Sequence, residues 1–322
     1  MFGFLNLNPI FVENLFGTGI NIYWYGVLIT TAVILGIIVA TLDCKRKGYS
    51  TDLPLDMALI AVIFAVIGAR LYYVVFDTGG YFRSDTFSEW IVKVVSIWDG
   101  GLAIYGAVIG AAIGLFLYSR FNKKYTFVQL LDLGVAPLAL GQAIGRWGNF
   151  FNQEAFGNPV TRIEWQWFPY ALFMENPKDA DPGWYQATFF YESMWCLALA
   201  VFLYWFFKKQ KYAGQAMILY FTLYGFERSL VELLRQDSLL IPGTGIRVSS
   251  LLSALLCLTG VALLLYFSKH LPKPREKKIE MPESEEPKNI TEESADEPPE
   301  DTAENTIEEE DTAAPEIPED KH

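Results

Sequence analysis

The sequence predicts an all-α integral membrane protein of about seven transmembrane helices, with the N-terminus outside and the C-terminus cytoplasmic. Three observations carry the prediction. Seven apolar runs are each about twenty residues long. Lys and Arg cluster in alternate loops only. The final segment is strongly acidic and unlike the rest of the chain.

The apolar runs fall at about 21–42, 55–76, 101–118, 128–147, 189–207, 214–233 and 248–268. A helix of about twenty apolar residues spans the hydrocarbon core of a bilayer. The N-terminus has no basic start and no small-residue cleavage site, so the first run is expected to stay as a span. Lys45, Arg46 and Lys47 follow the first run, and Arg120, Lys123 and Lys124 follow the third. Lys208, Lys209 and Lys211 follow the fifth, and Lys269, Lys273, Arg275, Lys277 and Lys278 follow the seventh. All four clusters fall on one side, which the positive-inside rule makes cytoplasmic. The long outer loop at 148–188 is rich in aromatic residues, among them Trp165, Trp167, Phe168, Tyr170 and Trp184, which suits the headgroup level.

The net charge of −12 misleads about the membrane body. Residues 280–322 hold 18 Asp/Glu against 2 Lys, leaving 23 Lys/Arg and 19 Asp/Glu for the rest. The acidic tail has too few large apolar residues to offset chain entropy and is expected to be disordered. The expected domains are therefore a transmembrane catalytic domain at 1–270 and a cytoplasmic acidic tail at 271–322.

Within the spans, Gly106, Gly110 and Gly114 recur every four residues, a pattern that lets helices approach closely in lipid. Pro137 is expected to kink the fourth span. Cys44, Cys196 and Cys257 have no metal-binding spacing, and His270 and His322 both follow the last apolar run. No P-loop or dinucleotide fingerprint is present, and no cofactor, metal or nucleic acid is expected.

Ionisable groups in membrane helices are costly and mark sites. Tyr25, Arg70 with Tyr73, and Tyr105 lie near the outer ends of the first three spans. Arg146 and Asn149 end the fourth, with Glu154 just beyond, and Tyr191 and Glu192 open the fifth. Arg228, Glu232 and Arg235 end the sixth, on one helical face. Asp132 alone lies toward the cytoplasmic side. Two arginines from different helices are suited to hold a phosphate diester, oriented by Glu154 and Glu232.

The stretch GRWGNFFNQEAFG at 145–157 resembles the signature G-R-x-G-N-F-x-N-x-E-x-x-G of the prolipoprotein diacylglyceryl transferases. Trp24-Tyr25-Gly26, GARLYYV at 68–74, GGLAIYG at 100–106, TFFYES at 188–193 and ERSLVELLRQ at 227–236 are also similar to that family, in its order. The resemblance implies transfer of an sn-1,2-diacylglyceryl group from phosphatidylglycerol to the lipobox cysteine of a prolipoprotein signal peptide, in the bacterial cell membrane with the site toward the outer leaflet. It implies that Arg146 and Arg228 are the essential catalytic arginines and that Tyr25 matters to the same centre; Tyr105 is expected to take a catalytic part from its place near the outer end of the third span. It carries Asn149, Glu154 and Gly157 into substrate binding with Arg146, and gives Glu232 a substrate-binding and Asp132 a structural part. Arg70 and Arg235 are expected to join substrate binding from their depth in the spans, and Gly106 and Gly110 to be structural from their spacing. One departure stands out: Tyr105 occupies a position where many members carry histidine. The competing reading is a transporter or channel for an anionic solute. Its site would lie near the midplane between repeated halves.

Overall fold

The computed structural model describes residues 8–76, 86–96, 100–178, 180–235 and 247–270. The acidic tail expected from residue 271 onward lies outside the described residues.

Eight helices and two small hairpins make up the described chain. Strands β1 (Ile10–Val12) and β2 (Ile22–Tyr23) pair antiparallel and lead into α1 (Trp24–Lys47). Helices α2 (Leu53–Phe76), α3 (Phe87–Val95), α4 (Ile104–Asn122) and α5 (Phe127–Phe151) follow. Strands β3 (Ala171–Met174) and β4 (Gly183–Gln186) form a second hairpin before α6 (Thr188–Phe207). Helices α7 (Gln215–Val231) and α8 (Val248–Lys269) complete the bundle.

Six helices are long and apolar enough to cross a membrane: α1, α2, α4, α5, α6 and α8. The remaining run expected as a span is α7, which has only 17 residues and carries Glu227 and Arg228. Its length sits at the lower edge of what spans a bilayer. The chain is thus a multi-pass, all-α membrane protein. Side chains such as Ile29, Leu59, Ile109, Val201 and Leu258 point outward and remain exposed, as lipid-facing positions do.

Local signals set the helix ends. The first helix begins later than its apolar run because Ile22 and Tyr23 are held in the β1–β2 ladder. It ends where Gly48 takes a left-handed φ of 71°, a conformation glycine adopts without steric cost. Thr126 and Gln129 form a capping box at the start of α5. Helix α5 is continuous through Pro137, whose ring side lies 3.4 Å from where a Cβ on Gly36 of α1 would sit.

Helix α5 is the hub of the bundle, packing against α1, α4, α6 and α7. The closest crossing is α2 on α4. A Cβ on Gly110 would lie 2.9 Å from the Phe64 carbonyl carbon and 3.1 Å from the Gly68 Cα. Gly106 meets the backbone of Gly68 in the same way. Only glycine permits this backbone-on-backbone approach.

One apolar core joins α1, α5, α6 and α7 around Leu130, Leu133, Leu203 and Phe207. A second, around Phe156, Leu172, Met174, Tyr185 and Phe189, fastens the β3–β4 hairpin to the junction of α5 and α6.

Among the described residues, the basic clusters after α1, α4 and α6 gather at one end, with Lys269 at the end of α8. Lys47 sits over the Phe207 ring at 4.2 Å, and Arg46 donates to the Tyr204 carbonyl at 2.9 Å, joining the ends of α1 and α6. The Tyr212 and Phe267 rings, 5.2 Å apart, join the approach to α7 with the end of α8. At this same end Asp132 of α5 accepts hydrogen bonds from the backbone N–H of Gly214 at 2.5 Å and Met217 at 2.9 Å. The carboxylate thus caps the first turn of a helix to which it is not chain-adjacent.

Candidate active site

Arg146 lies in the penultimate turn of α5, Glu192 in the second turn of α6 and Arg228 in the last turn of α7. All three meet at the end of the bundle opposite Asp132. Arg228 stands where the partial negative charge of a helix C-terminus favours a cation.

Glu192 is the centre of the arrangement. It is 1% exposed, and its two oxygens are divided between helices. Oε2 pairs with Arg146 Nη2, and Oε1 pairs with Arg228 Nη1 at 3.0 Å. Arg235 Nη1 approaches the same Oε1 to 4.0 Å. Arg228 also pairs with Glu232 at 2.8 Å, one turn along α7. Glu232 is fixed in turn by Arg247, which donates to its backbone carbonyl. A carboxylate buried to this degree is costly without strong pairing, and here two guanidiniums share it.

The residues of the 145–157 stretch divide into two tasks. Arg146 Nη1 donates to Asn149 Oδ1 at 3.4 Å, and Asn149 Nδ2 donates to Glu154 Oε1 at 3.1 Å. Asn152 donates to the same Glu154 oxygen at 3.1 Å, and Lys178 lies 3.9 Å from the other. Glu154 therefore acts on Arg146 through Asn149. The glycines serve backbone approach. A Cβ on Gly148 would collide with the Tyr25 ring, and one on Gly157 would lie 2.8 Å from the Gln186 Cβ. Tyr25 is thereby laid across α5 next to the Arg146 turn. Gln153 and Ala155 adopt positive φ of 49° and 58°, turning the chain sharply after α5. Thr188 donates to the Ala155 carbonyl at 2.8 Å and holds that turn against α6.

Arg70 and Tyr105 belong to a neighbouring part of the structure. Arg70 is 5% exposed and donates to the carbonyls of Val94, Gly100 and Gly101 at 2.9, 2.6 and 3.0 Å. It fixes the segment that leads into α4. Tyr105, 45% exposed at the start of α4, has its ring 6.4 Å from that of Tyr72.

Two residues were not singled out as site residues by sequence reasoning. Glu192 is one of the outer polar groups, but nothing in the sequence gives it a role. Glu227 precedes Arg228 and is 5% exposed, and among the described residues neither of its oxygens has a hydrogen-bond partner. The signal that finds both is a carboxylate inside an apolar run.

Fold and site together define a multi-pass membrane protein with a buried arginine–carboxylate centre at one end of its bundle. A family model described as prolipoprotein diacylglyceryl transferase matches residues 13–266. Among similar proteins, the phosphatidylglycerol–prolipoprotein diacylglyceryl transferase of Clostridium botulinum is 38% identical over 78% of this chain and 93% of its own length. Proteins of the same name from Thermotoga petrophila and Finegoldia magna are 41% and 39% identical. They align over 79% and 80% of this chain, and over 84% and 96% of their own lengths. The chain belongs to the prolipoprotein diacylglyceryl transferase family and is a transferase.

Proposed function

We propose that Arg146 and Arg228 hold the phosphodiester of phosphatidylglycerol while its diacylglyceryl group passes to a prolipoprotein cysteine thiol. The observation that carries this reading is the convergence of two guanidiniums, from α5 and α7, on the single buried carboxylate of Glu192. A guanidinium presents a planar fork that matches a phosphate oxygen pair. The centre is positioned before substrate arrives, so little reorganisation is needed when charge develops.

In the reaction the substrate sulfur forms a bond to the terminal glyceryl carbon. The bond from that carbon to the phosphate oxygen breaks, its electrons leave with glycerol phosphate, and the thiol proton is released. The arginines stabilise the charge gathering on the departing phosphate. The thiol comes from the substrate, so the enzyme's contribution is to align two reactants. Tyr25 and Tyr105 are assigned to positioning beside this path.

The basic end of the bundle supports a reading in which that end is cytoplasmic and the arginine centre faces the outer leaflet of the bacterial cell membrane. There an exported lipobox cysteine and a phosphatidylglycerol headgroup can meet. The test uses purified protein in vesicles containing phosphatidylglycerol, a lipobox peptide, and mass detection of the thioether product. The wild-type chain should form it, and Arg146→Ala, correctly inserted, should not. Product formation by the alanine variant at the wild-type rate would overturn the assignment of Arg146.

A further inference from the structure

Glu227 is the one carboxylate of the centre that the pairing scheme leaves out. Its side chain is buried between α5, α6 and α7. Both oxygens are inaccessible, and among the described residues neither receives a donor. The charged groups it feels are Glu192 from α6, Arg146 from α5 and Arg228 on its own helix. The titratable neutral groups facing it are Cys196 of α6 and Tyr220 of α7. Helix α8 packs on a different face of α7, where Cys257 meets Gly225, and its remaining titratable groups, Tyr266 and Lys269, lie near its far end. The guanidinium groups nearest Glu227 are already committed. Arg146 is on Glu192, and Arg228 is divided between Glu192 and Glu232.

This arrangement has an electrostatic consequence. The two guanidiniums that Glu227 faces, Arg146 and Arg228, are already paired with Glu192 and Glu232, and Arg235 is directed at Glu192. An ionised Glu227 would add negative charge beside the place a phosphodiester anion must occupy. It would do so in a buried setting with no donor to stabilise it, the costliest situation for a carboxylate. A neutral carboxylic acid avoids both penalties. We propose that Glu227 is held protonated when the anionic headgroup is bound, so that headgroup binding and a proton on Glu227 favour one another. This inference rests on the reading that Arg146 and Arg228 hold the headgroup phosphate. It makes Glu227 a positioning residue, setting the charge of the centre without touching the reacting atoms.

The sign follows from linkage. The phosphodiester stays singly negative and the arginines stay charged across the working range. As pH rises and Glu227 loses its proton, repulsion grows and affinity falls. Glu227→Gln keeps the shape of the neutral acid and cannot ionise.

The experiment measures binding of short-chain phosphatidylglycerol to the full-length protein in detergent, from about pH 6 to about pH 9.5. Binding is chosen over turnover because a substrate thiol titrates in the same window. The wild-type protein should lose affinity with rising pH, by up to about tenfold per unit for a single linked proton. Glu227→Gln should stay within about twofold throughout. Infrared difference spectra of the lipid-bound wild type at neutral pH should show a protonated carboxyl band that the variant lacks. An unchanged pH slope in a folded Glu227→Gln protein overturns the proposal, as does absence of the carboxyl band. If the variant fails to fold, the wild-type infrared measurement decides alone. A lipid-binding Arg146→Ala/Arg228→Ala double variant would instead overturn the underlying reading. Loss of binding there, with a persistent slope in Glu227→Gln, would overturn this inference only.

Discussion

Replacing Glu192 with Gln isolates the centre's main electrostatic element at almost constant volume. Glu192 is 1% exposed and pairs with both Arg146 and Arg228. The two losses are unequal. Arg228 keeps Glu232 at 2.8 Å, whereas Arg146 keeps, among the described residues, only the Asn149 amide oxygen at 3.4 Å. The cost is therefore close to that of breaking one buried ion pair, about 3–5 kcal/mol, and not twice that. Gln retains one acceptor oxygen, which places the expected cost near the lower end, about 3 kcal/mol. A solvent-exposed pair would give at most about 1 kcal/mol, so burial decides the size of the effect. For a chain of this size the melting temperature should fall by about 6–12 °C in detergent. Adding Arg146→Met should recover most of that loss, because removing both partners of a buried pair is far less costly than removing one. Diacylglyceryl transfer should be lost in the single and the double variant alike. A Glu192→Gln protein that melts within about 2 °C of wild type would refute this account of how the arginines are held.

Three further outcomes are expected. Asp132→Ala should lower stability by about 2–3 kcal/mol in thermal unfolding, since the first turn of α7 loses a charged acceptor for two N–H groups, and Asp132→Asn should recover part of it. Gly110→Val should cost about 1–3 kcal/mol or more by forcing α2 and α4 apart, while Gly141→Ala, with open space at its Cβ, should be nearly neutral by the same measurement. Tyr105→Phe should leave the melting temperature unchanged and reduce turnover in reconstituted vesicles by about tenfold, the value of one hydrogen bond in the transition state. Wild-type turnover would remove that hydroxyl from the mechanism.

Much of the bundle was legible because hydrophobic length and loop charge are one-dimensional signals. The expected runs overlap α1, α2, α4, α5, α6, α7 and α8, with shifts of a few residues at their ends. The amphipathic helix α3 was not read out of the loop at 77–100, being too short to register as a span. The β3–β4 hairpin was hidden for a different reason: its aromatic residues pack on Phe156 and Phe189, contacts set by tertiary structure. In the site, Arg146 and Arg228 announced themselves as charges at helix ends. The role of Glu192 did not, because which of several carboxylates a guanidinium selects depends on how α5, α6 and α7 are rotated against each other. Asp132 showed the same limit. Its depth was readable, but its partnership with the backbone of α7 required the fold.

That cross-helix cap bears on how the chain is assembled. Helix α7 is a poor candidate to enter a bilayer alone, with 17 residues, an unsatisfied first turn and two charged residues near its end. Synthesis runs from the N-terminus, so α5 and α6 precede it. When α7 emerges, Asp132 stands ready at one end to receive its amides, and Glu192 at the other to receive Arg228. The earlier helices thus act as a template for the last polar one. Glu192, which holds the arginine centre together, also helps admit the helix that brings Arg228 to it.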